Sequence, residues 1–391
     1  MKNKIPFFKF EKKKSTITNI KKVINSGWLT TGDQSRIFEK KFQNFLKVKY
    51  ALSVNSCTSA LHLSMIANGI KKNDKVVVPS ITFVSCIETI LYLGAIPIVI
   101  DVNTDTNTVD FENLKLLIKK EKNIKALIFV HLSGYPIKLD DKKQNFQKIC
   151  DNNNIKIIED CSHAFPTKIF EKYIGNSNNL CCFSFYANKT LSTAEGGMIT
   201  TNNKKLSDKI NRIRNHGFDR DAWKRYTNIK SKWEYDVIDM GFKYNLPDLN
   251  SSLGISQLPF VLIDQKKREN IANIYYKNLS SFKYIILPKR PISNSMHSWH
   301  LFRIQLKKNI KISRQKILAE LAHLGIGTSV HYKPLHRLTY YKKKLGLLNK
   351  NYPNSENIWK STISLPIYPS LKLRDVIYIC KNLKKVINEN I

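Results

Sequence analysis

An acid and a lysine, Asp160 and Lys189, sit just past two apolar runs of this chain. The first run, Ile155 to Ile158, ends in Glu159 and Asp160, and the second spans Cys181 to Phe185, four residues before Lys189. A lysine just past a buried strand is partly desolvated. That lowers the pKa of its amine and makes it a nucleophile toward carbonyl carbon. An acid at the tip of an adjacent strand is placed to hold a protonated ring nitrogen. Asp and Lys in those two roles are the protein side of pyridoxal 5′-phosphate (PLP) chemistry. Taken singly, the lysine has a plainer reading as a solvated surface charge, since the chain carries 65 Lys and Arg.

The elements that must hold these residues are legible as short apolar runs separated by helical patterns. Val76 to Pro79, Pro97 to Asp101, Ala126 to His131 and Ile155 to Asp160 read as strands, with helical periodicity at 110–121 and 140–151. That alternation predicts a mostly parallel sheet covered on both faces, with ligands beyond the carboxyl ends of its strands. His131, Asp160 and Lys189 all lie at such ends. Helices are expected at 15–25, Ile37 to Leu46, Ala60 to Ala67, Asn203 to Asn215, Ser251 to Tyr276, 313–324 and 373–388. A turn-rich loop, 26–35, precedes the second helix, and a polar loop runs from Arg214 through Asp221 to Tyr226. A strand is expected at Ser298 to Phe302, in a smaller C-terminal domain.

Four stretches keep two readings each. Asn55 to Ser59 opens a helix with hydroxyls and free N–H groups, which makes either an anion site or a plain N-cap. Phe83 is a core side chain or a ring-stacking one. His331 is structural or touches substrate. Lys243 and Asn245 are a surface charge and a helix cap before Pro247, or donors to a phosphate.

With 391 residues the chain buries a large core and is expected to form two domains, 1–260 and 261–391, with the first ~25 residues packing on the smaller one. Its hydrophobic content of 42% is that of a globular protein, and no stretch approaches the ~18–20 unbroken apolar residues of a membrane span. The start, MKNKIPFFKFEKKK, lacks the pattern of a signal peptide, and seven cysteines without a CxxC form no disulfide framework. Cys181 and Cys182 read as small core residues in a reducing, cytoplasmic setting. No Cys and His spacing suggests a metal. The net charge of +35 is spread evenly, and the chain is rich in Asn and Ile, with Lys dominating over Arg. Codon bias accounts for that excess without a nucleic-acid partner, though a basic surface also favours a diphosphate-bearing substrate.

Three linked motifs carry a resemblance. They are Glu159-Asp160-Cys161-Ser162-His163-Ala164, Phe183-Ser184-Phe185 to Lys189, and Glu195-Gly196-Gly197 to Thr200. In that order they resemble the PLP-dependent sugar aminotransferases of the DegT/StrS group. Arg214-Asn215-His216-Gly217 and Gly241 to Asp248 extend the resemblance, which runs from about Ser26 to Leu383. It departs at Phe165-Pro166-Thr167, where the family has small residues and a glycine. A branch of the family carries His in place of the lysine and dehydrates sugars; Lys189 favours transamination.

The resemblance implies the two-domain α/β fold of the aspartate-aminotransferase-like class: a mixed, mostly parallel seven-stranded sheet in a large PLP domain plus a smaller C-terminal α/β domain. It implies that Lys189 binds PLP and moves the proton, that Asp160 holds the ring nitrogen, and that His163 sits near the phenolic oxygen. Thr58, Ser59 and Ser184 are expected on the cofactor phosphate, and Phe83 on the ring. Thr31, on the rim loop, Lys243 and His331 are expected to meet substrate. Asn245 is expected to reach the phosphate of the neighbouring subunit of a homodimer. The Lys243-Tyr244-Asn245 form is familiar among members that aminate C4 of nucleotide-linked 4-keto sugars, with L-glutamate as donor. Amination at C3, a dehydratase-like PLP reaction, and a PLP-fold regulator without turnover stay open beside it. Nucleic-acid binding and membrane insertion are not expected.

Overall fold

The computed structural model describes residues 4–219, 235–308 and 312–389. The expected loop stretch Asp221 to Tyr226 lies outside them. A seven-stranded sheet forms the centre, in the order β1 (Tyr50–Val54), β9 (Gly197–Thr201), β8 (Leu180–Ser184), β5 (Lys156–Asp160), β4 (Ile124–Val130), β2 (Lys75–Pro79), β3 (Ile96–Ile100). Strand β9 runs antiparallel to both its neighbours, and the remaining pairings are parallel. The inner strands are apolar runs buried along nearly their whole length, as a sheet covered on both faces requires. Two-residue strands β6 (Lys168–Ile169) and β7 (Lys172–Tyr173) form a hairpin beside β11 (Ser295–Met296).

Helices α3 (Cys57–Ala67) and α4 (Ser85–Tyr92) pack their apolar residues against one face. On the other face, α2 (Asp33–Leu46) sets Phe38 and Phe42 against Phe183 and Phe185. The atypical Phe165 stacks on Phe42 with ring centroids 4.8 Å apart, so its bulk is spent in the core.

Three helices depart furthest from expectation, each for a local or tertiary reason. Helix α2 begins four residues before Ile37. The buried carboxylate of Asp248 accepts the N–H groups of Gly32, Gln34 and Ser35 at 2.7–3.0 Å, so a residue far along the chain caps it. The helix expected over 140–151 shrinks to α6 (Phe146–Asn152), because Asp141 Oδ1 accepts from Lys143 and Gln144 N–H and draws that stretch into a turn. The helix expected over Ser251 to Tyr276 is two, Asp248–Gln257 and Val261–Leu279, joined by a 3₁₀ turn containing Pro259, which has no N–H to continue the ladder. The strand expected at Ser298 to Phe302 begins only at its last residue.

That strand is β12 (Phe302–Leu306), paired with β10 (Ile285–Ile286) and β13 (Thr362–Leu365) in a small antiparallel sheet. Tyr275, Phe302, Ile363 and Leu383 meet in its core, and Ile5 joins them, bridged to Gly325 and Gly327. Helix α1 (Thr16–Asn25) lies instead on the Asp248–Gln257 helix. Leu335, Tyr341 and Ile358 return from the C-terminal part to the large-sheet core. All seven cysteines are buried and unpaired. No described helix is long and apolar enough to cross a membrane.

Candidate active site

Beyond the carboxyl ends of β2, β4, β5 and β8 lies a cavity of about 380 Å³, within the range of small-ligand pockets. Asp160 and Lys189 both line it. Asp160, 4% exposed, is the last residue of β5. Its Oδ1 accepts the Ser162 N–H at 2.9 Å and its Oδ2 the Cys86 thiol at 3.2 Å. Burial and the Asp160 charge push the Cys86 pKa well up, so that thiol stays a donor. Lys189 stands in the turn after β8, its N–H bonded to the Tyr186 carbonyl at 2.9 Å. Burial pushes its amine down to about 8, against the opposing pull of Asp160. The neutral nucleophile is therefore a minority near neutral pH, but far more populated than for an ordinary lysine.

The anion end of the cavity is the start of α3. First-turn N–H groups have no intrahelical partner. Ser56 takes that of Ser59 at 3.0 Å, while Ser56, Cys57 and Thr58 form the wall. The Ser59 hydroxyl turns away, donating to Asn55 Oδ1 at 2.6 Å, so it braces the turn and Thr58 faces the cavity. Ser184 lines the same wall from the end of β8. Gly197 lets β9 approach here: a Cβ would lie 2.7 Å from the Ser56 backbone and 2.9 Å from Cys57 N.

Phe83 is 54% exposed and not core: its ring lines the cavity and lies 5.8 Å from that of Tyr332. His163 Nδ1 accepts the Ser133 N–H at 3.1 Å, which leaves Nε2–H to donate to the Tyr332 hydroxyl at 3.0 Å. Burial holds the His163 pKa well below the usual range, so the ring is neutral. Tyr332 then keeps its own O–H to donate into the cavity. His331 also lines it, with Nδ1 2.8 Å from Ser364 Oγ and its ring stacked on Phe7. Tyr332, Cys86 and Asn188 carry no role in the motif reading. Asn188 Oδ1 is buried in this wall without a partner. Their signal is spatial, apart from Tyr332, which follows His331 in the sequence.

A carboxylate with accepting capacity left, a lysine of lowered pKa, an exposed aromatic ring and a helix start fit an anionic aromatic ring phosphate. PLP has those features: Lys189 and Asp160 would hold the ring, and Thr58, Ser184 and the start of α3 the phosphate.

Three expected residues stand elsewhere within the chain. Thr31 and Asn245 meet in a separate cavity of about 260 Å³, where Asn245 Nδ2 donates to Thr31 Oγ1 and Asn245 Oδ1 is buried without a partner. Lys243 is exposed. His131 turns to Glu159, Nε2 to Oε2 3.0 Å. Cys161 completes the one cluster of metal-ligand type among the described residues, but Ser177 and Asn179 also bond Glu159. A larger cleft of about 720 Å³ is lined by residues such as Ile155 and Asn179, which enter the parallel strands, and neither Asp160 nor Lys189 reaches it.

A model of the DegT/DnrJ/EryC1/StrS aminotransferase family matches residues 11–384. The chain is 36% identical, over 376 residues, to the spore coat polysaccharide biosynthesis protein SpsC of Bacillus subtilis (strain 168), covering 96% of this chain and 95% of that one. It is similar in structure to the putative sugar aminotransferase Spr1654 from Streptococcus pneumoniae in its PLP form, with TM-score 0.89, 28% identity and coverage of 99% and 100%. The same holds for Helicobacter pylori PseC, an aminotransferase involved in the biosynthesis of pseudoaminic acid, with TM-score 0.90, 28% identity and coverage of 99% and 100%.

Proposed function

The chain belongs to the DegT/DnrJ/EryC1/StrS aminotransferase family, and we propose that it moves an amino group from L-glutamate to the C4 keto group of a nucleotide-activated deoxy sugar. The product would enter a surface polysaccharide or glycan precursor. The enzyme is a PLP-dependent sugar transaminase with the fold of that class. Lys189 facing Asp160 in one cavity is the observation that carries the reading. The C4 position rests on the Lys243-Tyr244-Asn245 form.

Bound in this cavity, PLP supplies a sink for the electron pair left at the donor Cα. Asp160 holds the proton on the ring nitrogen. Lys189, with its amine lowered to about 8, would serve as the base for the donor Cα proton and as the acid that returns it to the cofactor side. Tyr332, oriented by His163, keeps an O–H that would donate to an acceptor on the bound ring, such as its phenolic oxygen. Thr58, Ser184 and the start of α3 would hold the phosphate, and Phe83 would pack on the ring. With the keto sugar bound, the same residues act in reverse order.

The test is direct. The yellow holoprotein should lose its colour on addition of L-glutamate, and labelled nitrogen should then appear at C4 of a 4-keto sugar nucleotide. Transfer only to 3-keto sugars would replace C4 by C3. A protein that stays colourless with added PLP would sink the enzyme reading.

The proposal includes a homodimer whose sites are shared. Thr31 and Asn245 occupy a cavity of their own, apart from Lys189. That placement suits residues that complete the neighbouring subunit's phosphate site. Lys189→Ala and Asn245→Ala proteins should each be weak. After subunit exchange, activity should reappear, because a mixed dimer has one intact site. A mixture that stays at the parental average, while mass measurement shows mixed dimers, would remove the shared site.

A further inference from the structure

Strand β12 alternates Phe302, Ile304 and Leu306, which enter the small-domain core, with Arg303 and Gln305, which face the other way. Arg303 is 8% exposed, yet its Nε and Nη2 have no partner. Burial pulls its pKa down to about 10, with only the neighbouring Tyr332 opposing the shift. An unpaired buried guanidinium is costly unless an anion answers it.

The place of this side chain is informative. Arg303 is the β12 partner of Ser364, and Ser364 Oγ is 2.8 Å from His331 Nδ1, on the wall of the Lys189 cavity. Arg303 lines an adjoining cavity of about 380 Å³, and Leu132 borders both. Ser133 lines it too. Its N–H bonds His163, its hydroxyl is buried without a partner, and its backbone is left-handed at φ 63°. Lys289, the other cationic lysine or arginine on this wall, is paired with Asp105 at 3.5 Å. His297 is held neutral by burial, at about 3. One uncompensated positive charge therefore faces the cavity, which matches one carboxylate better than a diphosphate.

We propose that Arg303, a buried guanidinium on the wall of this cavity, binds a carboxylate of the amino donor and holds the donor against the Lys189 cavity. Its Nε–H and Nη2–H are buried with no partner to give up, so a turn of the side chain into the cavity lets this edge donate to a carboxylate in bidentate fashion. The proposal rests on the aminotransferase reading for the identity of its ligand. L-Glutamate has two carboxylates, and the experiment separates them.

In the holoenzyme, Arg303→Gln should raise the KM for L-glutamate, and the Kd for the unreactive dicarboxylate glutarate measured by calorimetry, about a hundredfold, the loss expected for hydrogen bonds to a charged group. The KM for the keto-sugar nucleotide should not change. Arg303→Lys, which keeps the charge without the fork, should fall between the two, and it decides the matter if Arg303→Gln does not fold. Equal weakening of L-glutamate, L-glutamine and L-alanine assigns the α-carboxylate; weakening of L-glutamate alone assigns the side-chain carboxylate. Unchanged glutarate and donor affinities in a folded variant overturn the proposal, as does a loss confined to the sugar nucleotide. If the wild-type protein reacts with no amino acid but loses glutarate binding in Arg303→Gln, transamination falls and the carboxylate site stands.

Discussion

Lys189→Ala should keep its fold and lose turnover by at least about 10³-fold, since one side chain supplies both the covalent attachment and the proton transfer. Alanine removes a charge from a site whose packing is set by β5, β8 and α3, so melting temperature should move little. More than a few percent of wild-type activity would show that Lys189 is not that group. The same residue sets a pH signature. Its amine pKa lies near 8, so the reactive neutral form is the minority below that pH and the majority above it. Covalent capture of PLP by the apo protein should therefore accelerate about tenfold per pH unit from about pH 6 and level off above about 8. Capture that is flat across that range, or that persists in Lys189→Ala, would contradict the assignment.

Asp160→Asn should bind PLP and turn over about 10²-fold or more slowly. The shape is kept, and the amide oxygen can still accept the Ser162 N–H. What is lost is the negative charge that keeps the ring nitrogen protonated, several kcal/mol of transition-state stabilisation by the same order-of-magnitude reasoning. Cofactor content, measured by absorbance after denaturation, separates this effect from simple loss of PLP. Wild-type rates with full cofactor occupancy would remove the electron-sink role from Asp160.

Much of this site is legible in the chain before any coordinates. Continuous apolar runs that each end in a polar residue specify buried parallel strands with chemistry at their carboxyl ends. Glu159-Asp160 and Phe185-to-Lys189 are short enough in sequence for local geometry to place each residue at the carboxyl end of its strand, and the parallel pairing of β5 and β8 sets the two ends side by side. The cofactor class follows from those two side chains and the motifs around them.

Other features depend on partners that sequence distance hides. Asp248 caps α2 across more than two hundred residues, and no periodicity near Asp33 announces it. Phe83 reads equally well as core or ligand contact, and only the arrangement of α4 beside Tyr332 leaves it open to the cavity. Ser59 and Thr58 are adjacent hydroxyls, but helix geometry turns one to Asn55 and the other to the cavity. Arg303 is one of 65 basic residues, ordinary until its fork is found buried without an anion. The physical reason is common to all four. Strand burial and cofactor chemistry are encoded in residue type and short spacing, whereas hydrogen-bond partnership depends on which distant atoms the packed fold brings within about 3 Å.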